Sequence, residues 1–318
     1  MNESLTLGRV LVTGGAGFIG SHLVARLLGL GYEVRVLDDF SSGHLENLGN
    51  FGTLRNFTLL KGSVADGASL SKSMAGINTV FHLAAIASVS NASSDSTATE
   101  RINVGGTLAV LEEARRKGVG KFIFASSAAV YGNASRLPLK ENHPFSPVSV
   151  YGVTKTAGEL FCNMYFKSYG IKTTILRYFN VYGAALDCQP RDSVTTRFAD
   201  DIKRGDKLIV HGDGRQTRDF VHVIDAVDCT ILAAGARNAP GEAFNVGTGT
   251  ATSISGLAKM LLSNPQVLRK DIVYTKGREE DVRYSLASIE KASSLLGYVP
   301  RINLRQGLAD FLEWYLDR

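Results

Sequence analysis

A chain of 318 residues, 44% hydrophobic and 20% charged, has the make-up of a globular protein with a sizeable core. Its net charge is only +5 and its pI about 9.0, and the basic residues are scattered, which disfavours nucleic-acid binding through a concentrated basic patch. The cysteines, Cys162, Cys188 and Cys229, are far apart and lack metal-ligand spacing; they read as free thiols in a reducing compartment, with no metal site. The opening "MNESLTLGR" carries no apolar signal core, and no apolar run approaches the ~18 residues of a membrane span, so a cytoplasmic protein is expected.

The first half alternates apolar runs with helical patterns. Strands are expected at "RVLVTG" (9–14), "EVRVLD" (33–38), "FTLLKG" (57–62), "NTVFHLAA" (78–85), "KFIFASS" (121–127) and "KTTILRYFNVYG" (172–183). Helices are expected at 19–31, 97–117 and 149–169, with basic residues closing the second, where they complement the helix dipole. Continuous apolar strands alternating with helices predict a parallel sheet covered on both faces. After about residue 183 the rhythm changes. Helix (193–205), strand–turn–strand (207–223), helix (224–236), strand (242–249), helix (253–263) and a helical end follow. The expected fold is α/β: a doubly wound parallel-sheet Rossmann domain over 1–183, with a segment returning near 220–237, and a smaller C-terminal α/β substrate lobe over 184–318.

"VLVTGGAGFIGSHL" (10–23) places Gly14, Gly17 and Gly20 between a strand and a helix. That context makes a glycine pattern a dinucleotide loop. Gly14 allows the tight turn, Gly17 lets a pyrophosphate approach the backbone, and Gly20 lets helix pack on strand. The helix N-terminus offers free N–H groups to the phosphates. Asp38 ends the second strand. An acid there accepts from an adenosine ribose diol and repels a 2′-phosphate, so NAD is favoured over NADP.

Val-Tyr-Gly occurs three times, at 130–132, 150–152 and 181–183. Only Tyr151 has a lysine four residues on, Lys155, which puts both on one helix face. A nearby ammonium and a cationic nicotinamide favour a phenolate, so Tyr151 is expected to have a lowered pKa and to act as a general base. Ser127, at the end of the fifth strand, is placed to hydrogen-bond the same substrate oxygen.

"TGGAGFIG", "HLAA", "SSAAVYG", "YGVTK" and "LRYFNVYG", in this order, resemble the extended short-chain dehydrogenase/reductase superfamily, and within it the NAD-dependent nucleotide-sugar epimerases of the UDP-glucose 4-epimerase type. The resemblance covers nearly the whole chain. It implies a catalytic trio of Ser127, Tyr151 and Lys155. It puts Phe18 and Ile19 at the pyrophosphate, Asp39, Ser41, Ser42 and Gly43 around the adenosine ribose, and Ser63 and Val64 at the adenine. Leu83, Ala84, Ala85, Ala87, Asn103 and Tyr178 would line the cofactor, and Tyr131 and Tyr182 become scaffold. In the substrate lobe the resemblance assigns Asn180 to the diphosphate, Arg218 and Arg278 to phosphate, Asp281 to the uridine ribose and His211 to the uracil. Ser88 and Ser285 would border the sugar. A homodimer pairing 97–117 and 149–169 across a two-fold axis is the family expectation.

Departures from relatives narrow the chemistry. Related 4,6-dehydratases carry an Asp-Glu pair after the residue equivalent to Ser127, and related uronate decarboxylases a Glu at the position of Ala129; here Ala128 and Ala129 follow. Relatives acting on uronates often have Pro-Arg where this chain has Ala184 and Ala185, so a UDP-glucuronate 4-epimerase is the lesser alternative. Non-catalytic NAD(H)-binding relatives tend to lose the tyrosine or lysine, and both are kept. Expected is 4-epimerisation of UDP-glucose/UDP-galactose through a 4-keto intermediate, with room at Ser285 for an N-acetyl group.

Overall fold

The computed structural model describes residues 7–186, 193–268, 271–277 and 282–318. In chain order the elements are β1 (Val10–Thr13), α1 (Phe18–Gly29), β2 (Val34–Asp38), β3 (Phe57–Lys61), α2 (Gly67–Met74), β4 (Thr79–His82), α3 (Val89–Ser94), α4 (Ser96–Glu100), α5 (Thr107–Arg116), β5 (Lys121–Ser127), α6 (Val150–Tyr169), β6 (Lys172–Tyr178) and β7 (Asn180–Tyr182). Then come α7 (Val194–Arg204), β8 (Leu208–His211), β9 (Thr217–His222), α8 (Val223–Gly235), β10 (Ala243–Val246), β11 (Ala251–Ser253), α9 (Ile254–Leu262), β12 (Ile272–Thr275), α10 (Glu290–Leu296) and α11 (Leu304–Leu316).

Seven strands form one sheet, β10-β6-β5-β4-β1-β2-β3, parallel at every pairing. The apolar runs are buried on both faces. Val10, Val12, Leu23, Leu27 and Val36 pack on the side of α1 and α8, while Leu11, Val80, Val110, Phe122 and Phe124 pack on the side of α2, α5 and α6. Strand order reverses at β1, between β4 and β2. The loops leaving β1 and β4 therefore diverge, and a crevice opens at the carboxyl ends of these strands. The doubly wound sheet expected from the sequence is present.

A second core, with Phe198, Leu208, Val210, Leu257 and Phe311, gathers around β11-β9-β7 and β12-β8. The run 172–183 divides at Phe179. β6 stays in the large sheet, and β7 crosses to pair with β9. The strand at 242–249, expected in the substrate lobe, instead closes the large sheet: β10 lies parallel to β6, with Ala243 opposite Ile175. Its apolar pattern fits either sheet edge, and only the pairing distinguishes them. The helix at 97–117 is α4 and α5 joined through a π-turn at Arg101–Gly106, and π-turns concentrate at functional sites. Among the described residues no helix is long and apolar enough to cross a membrane.

Candidate active site

The loop after β1 is shaped by contacts that a side chain would destroy. Gly14 has φ +71, and a Cβ there would lie 2.6 Å from the Ala84 nitrogen, so the loops after β1 and β4 touch at this point. A Cβ on Gly20 would lie 2.1 Å from the Gly14 carbonyl oxygen. Gly17 differs: among the described residues its Cβ would meet the Gly14 oxygen alone, at 3.3 Å, so its other side faces open space. The first turn of α1, Phe18 and Ile19 included, has no side-chain cap and no acidic residue, leaving its positive end for an anion.

Asp38 is 7% exposed. Its Oδ2 accepts from the Ala16 nitrogen at 2.8 Å and its Oδ1 from the Phe40 nitrogen at 2.9 Å. Burial pushes its carboxyl up, partly offset by these two donors. Each oxygen keeps a second lone pair, as ribose recognition requires. Phe40 has φ 59, a left-handed conformation uncommon for a bulky residue. It turns the chain so that Asp39, Ser41 and Ser42 are exposed while Gly43 packs on Ala16, where a Cβ would come within 2.9 Å. Val64 is buried against Gly106, and Ser63 is half-buried beside it. Open space at Gly17, an uncapped helix end and a buried acid on the next strand together fit a dinucleotide.

The wall after β4 is Leu83, Ala84 and Ala85, all half-buried, then exposed Ala87 and half-buried Ser88. Asn103, in the π-turn, holds this wall: its Oδ1 accepts from the Ile86 nitrogen at 2.8 Å, and its Nδ2 donates to the Ile86 oxygen at 3.0 Å and to Thr154 Oγ1 at 3.1 Å. Its amide thus serves protein partners, joining the wall to α6. Tyr178 likewise pairs with Thr230 Oγ1 at 2.6 Å.

Ser127, Tyr151 and Lys155 meet where β5 ends and α6 begins. Ser149 caps α6 by accepting from the Gly152 nitrogen at 3.1 Å. Gly152 lets the helix close on the strand exit, since a Cβ would lie 2.7 Å from the Ala129 oxygen. Ser127 lies beside the Tyr151 phenol and favours its ionised form. The Lys155 ammonium sits 5.7 Å from the Tyr151 ring centroid and donates to the Ala125 oxygen at 2.7 Å. The lowering expected with a cationic nicotinamide beside the phenol is not a property of the chain by itself. Burial pushes Tyr151 up to about 12, with the Ser127 hydrogen bond pulling the other way. In the chain by itself the ammonium donates to the Ala125 carbonyl and burial dominates the phenol. Burial also brings Lys155 down to about 8, so it is still an ammonium at neutral pH.

The other two Val-Tyr-Gly tyrosines are buried. Tyr131 donates to Asn245 Oδ1 at 2.6 Å; Tyr182 lies edge-on to His222 at 5.3 Å between ring centroids. In the smaller lobe, half-buried Asn180 lies on β7 opposite Phe220. Arg218 Nη1 donates to the Thr217 and Val282 carbonyls at 2.8 and 2.6 Å. His211 Nδ1 and Thr275 Oγ1 are 3.0 Å apart. Ser285 is 6% exposed, its nitrogen donating to the Thr217 oxygen at 3.1 Å. Arg278 and Asp281 lie outside the described residues, as does Cys188; Cys162 and Cys229 are buried free thiols.

Sequence reasoning passed over several residues that build this site. Asp219 is fully buried, accepting from the Thr248, Gly249 and Ala287 nitrogens at 2.7, 2.9 and 3.2 Å and from Thr248 Oγ1 at 2.7 Å. It ties β9 to the turn after β10 and to the segment carrying Ser285. His82 bridges Thr13 and Thr107, at 2.7 and 2.9 Å, and burial holds it neutral, with its pKa lowered to about 3. An acid directly after Arg218, inside a short apolar strand, was the available signal for Asp219.

With this geometry in view, the relatives are informative. Residues 10–247 match the family described as "NAD dependent epimerase/dehydratase family". A putative UDP-glucose 4-epimerase of Methanocaldococcus jannaschii is 37% identical, with 96% of this chain and 97% of that protein covered. The crystal structure of a UDP-glucose 4-epimerase with UDP-glucose from Thermotoga maritima superposes with a TM-score of 0.90 at 36% identity, covering 97% of this chain and 99% of that one. A UDP-glucuronic acid 4-epimerase from Bacillus cereus, solved with UDP-glucuronic acid and NAD, gives a TM-score of 0.90 at 33% identity, over 97% and 99% of the two chains. The chain belongs to the NAD-dependent epimerase/dehydratase family, within the extended short-chain dehydrogenase/reductase superfamily, and its cofactor is NAD.

Proposed function

We propose that this enzyme epimerises C4 of a UDP-linked hexose, UDP-glucose to UDP-galactose, and accepts the N-acetylhexosamine forms. The observation that carries the reading is the cluster of Ser127, Tyr151 and Lys155 at the crevice, followed by Ala128 and Ala129 where dehydration or decarboxylation would need an acid. Bound NAD would supply the acceptor for the hydride of C4 and its donor on return to the other face. Tyr151 takes the C4 hydroxyl proton and gives it back. Ser127 orients that hydroxyl, and the Lys155 ammonium stabilises the phenolate as it forms. Arg218, Asn180 and Arg278 hold the diphosphate, and Asp281 accepts from the uridine ribose, while the 4-keto sugar turns; a planar, permanently charged guanidinium suits phosphate binding. Ala184 and Ala185 leave no arginine there for a uronate carboxylate. Assaying one preparation against UDP-glucose, UDP-N-acetylglucosamine, UDP-glucuronate and dTDP-glucose, with products identified by NMR, tests this. UDP-galactose from UDP-glucose is expected; a 4-keto-6-deoxy or decarboxylated product overturns the reading.

Ser285 leaves space beside the sugar. Ser285→Tyr is expected to suppress turnover of the N-acetylated sugar while sparing UDP-glucose, as kcat/KM on each shows. Equal losses on both would remove Ser285 as a selector. We further propose a homodimer through α4, α5 and α6. Val153, Leu160 and Met164 on α6 are 53%, 56% and 38% exposed, and beside them Val104, Pro147 and Val150 line a groove of about 590 Å³, a concentration of apolar surface unusual for a free face.

A further inference from the structure

Behind the catalytic cluster lies a buried polar network that the reaction as drawn does not use. Three consecutive residues of β5 engage three residues on one face of α6. The Ala125 oxygen accepts from Lys155, Ser126 Oγ donates to Glu159 Oε1 at 2.5 Å, and Ser127 lies beside Tyr151. Tyr151, Lys155 and Glu159 are four apart, one turn after another. Glu159 is fully buried, and Arg177 on β6 grips both its oxygens, with Nη2 to Oε2 at 2.6 Å and Nε to Oε1 and Oε2 at 2.9 and 3.1 Å. The remaining guanidinium nitrogen donates to Tyr131 OH and to the Glu141 oxygen, both at 2.8 Å. Tyr131 donates in turn to Asn245 on β10, and Asn245 Nδ2 donates to the Leu139 and Ser288 carbonyls at 2.8 and 3.1 Å. The chain of contacts thus runs from the catalytic helix to the segment carrying Ser285.

We propose that Glu159 is a positioning residue for Tyr151 and Lys155: its clamped carboxylate keeps β5 and α6 in register and supplies the negative charge that holds Lys155 as an ammonium. The assignment rests on the reading of Tyr151 and Lys155 as the proton-handling pair. Lys155 faces Tyr151, Glu159 and Cys162 on its own helix and His82 on β4, with Arg177 behind Glu159 on β6. Burial works against its charge, and Glu159 is one of the groups that offset it. His82 is neutral and Cys162 is held as a thiol by burial, so Glu159 is the full negative charge in this set.

The test follows the lysine itself. In protein labelled with 13C at lysine Cε, the Lys155 resonance, assigned by its loss in Lys155→Met, is titrated by NMR in wild type and in Glu159→Gln. Loss of the carboxylate is expected to lower the Lys155 midpoint by about one pH unit. Glu159→Gln strands a buried guanidinium, so the paired variant Glu159→Leu/Arg177→Met is measured too, because removing both partners of a buried pair is often tolerated. A smaller downward shift is expected there, because the more distant guanidinium is removed along with the carboxylate, with kcat reduced and KM for the UDP-sugar nearly unchanged. An unmoved Lys155 midpoint in a folded variant overturns the proposal, and so does failure of both variants to fold, which would make Glu159 a stability residue only. Wild-type turnover of the sugar panel tests the underlying reading separately, since the titration needs no substrate.

Discussion

Tyr151→Phe is expected to reduce turnover of the nucleotide sugar by ~10²-fold or more while leaving NAD and nucleotide binding largely intact, because removing a general base typically costs that much. The substitution deletes one oxygen from a half-buried ring and leaves the packing of α6 unchanged. The elevated phenol makes the prediction sharper. With Tyr151 at about 12, the side chain is protonated at neutral pH, and its proton must be drawn off within the assembled complex. Rate should therefore climb with pH until Lys155, at about 8, begins to lose the charge that stabilises the phenolate. Steady-state kinetics of wild type and variant across pH 6 to 9 would check both parts; a variant within a factor of about ten of wild type would remove Tyr151 from the chemistry.

Lys155→Met is expected to abolish turnover and yet stabilise the fold. Lys155 is 4% exposed, and burial lowers it from 10.5 to about 8. Between those values the unfolded chain holds a proton that the folded chain has released, so wild-type stability should rise as pH climbs through that window. Below pH 8 both states are charged and the penalty is fully present, about 3 kcal/mol on this difference. Methionine matches the stem length without the charge, and the Ala125 carbonyl loses its donor, so a net gain of about 1–3 kcal/mol at pH 7 is expected. Urea unfolding of both proteins at pH 7 and pH 10 measures it: the variant should lead at pH 7 and lose most of that lead at pH 10. A destabilised variant at pH 7 would show that the ammonium contributes more through its hydrogen bond than burial takes away. Such opposition between stability and activity is common where a strained or charged group serves the chemistry.

What the sequence revealed was whatever lies close together along the chain. The glycine loop, the acid ending the second strand, and the tyrosine and lysine one helical turn apart each depend on short spacings, and strand–helix alternation follows from apolar runs. Glu159, Ser126, Arg177 and Asn245 escaped because their meaning depends on contacts across 18 to 114 positions. Each alone reads as an ordinary polar residue. Asn103 lines the cofactor by resemblance, and its amide also holds Ile86 and Thr154, which spacing does not show. The burial that raises the Tyr151 phenol is not legible either, because spacing shows that a lysine is near but not where its ammonium points or how deeply the pair is buried.

The pairing of β10 with β6 has a consequence for the evolution of the chain. Because the last strand of the large sheet arrives after α7, β8, β9 and α8 and before β11, α9, β12 and α11, the smaller lobe is assembled from segments on both sides of β10 and is not a simple tail. A chain cut at residue 183 would retain the glycine loop, Ser127, Tyr151 and Lys155, but it would leave β6 as a bare apolar edge with Asn245 gone from Tyr131. Open edges of that kind invite sheet-to-sheet association. New sugar specificities are therefore easiest to acquire by altering loops outside the large sheet, such as the segment around Ser285, and exchanging the lobe as a detachable module would break the sheet against which Ser127, Tyr151 and Lys155 are set.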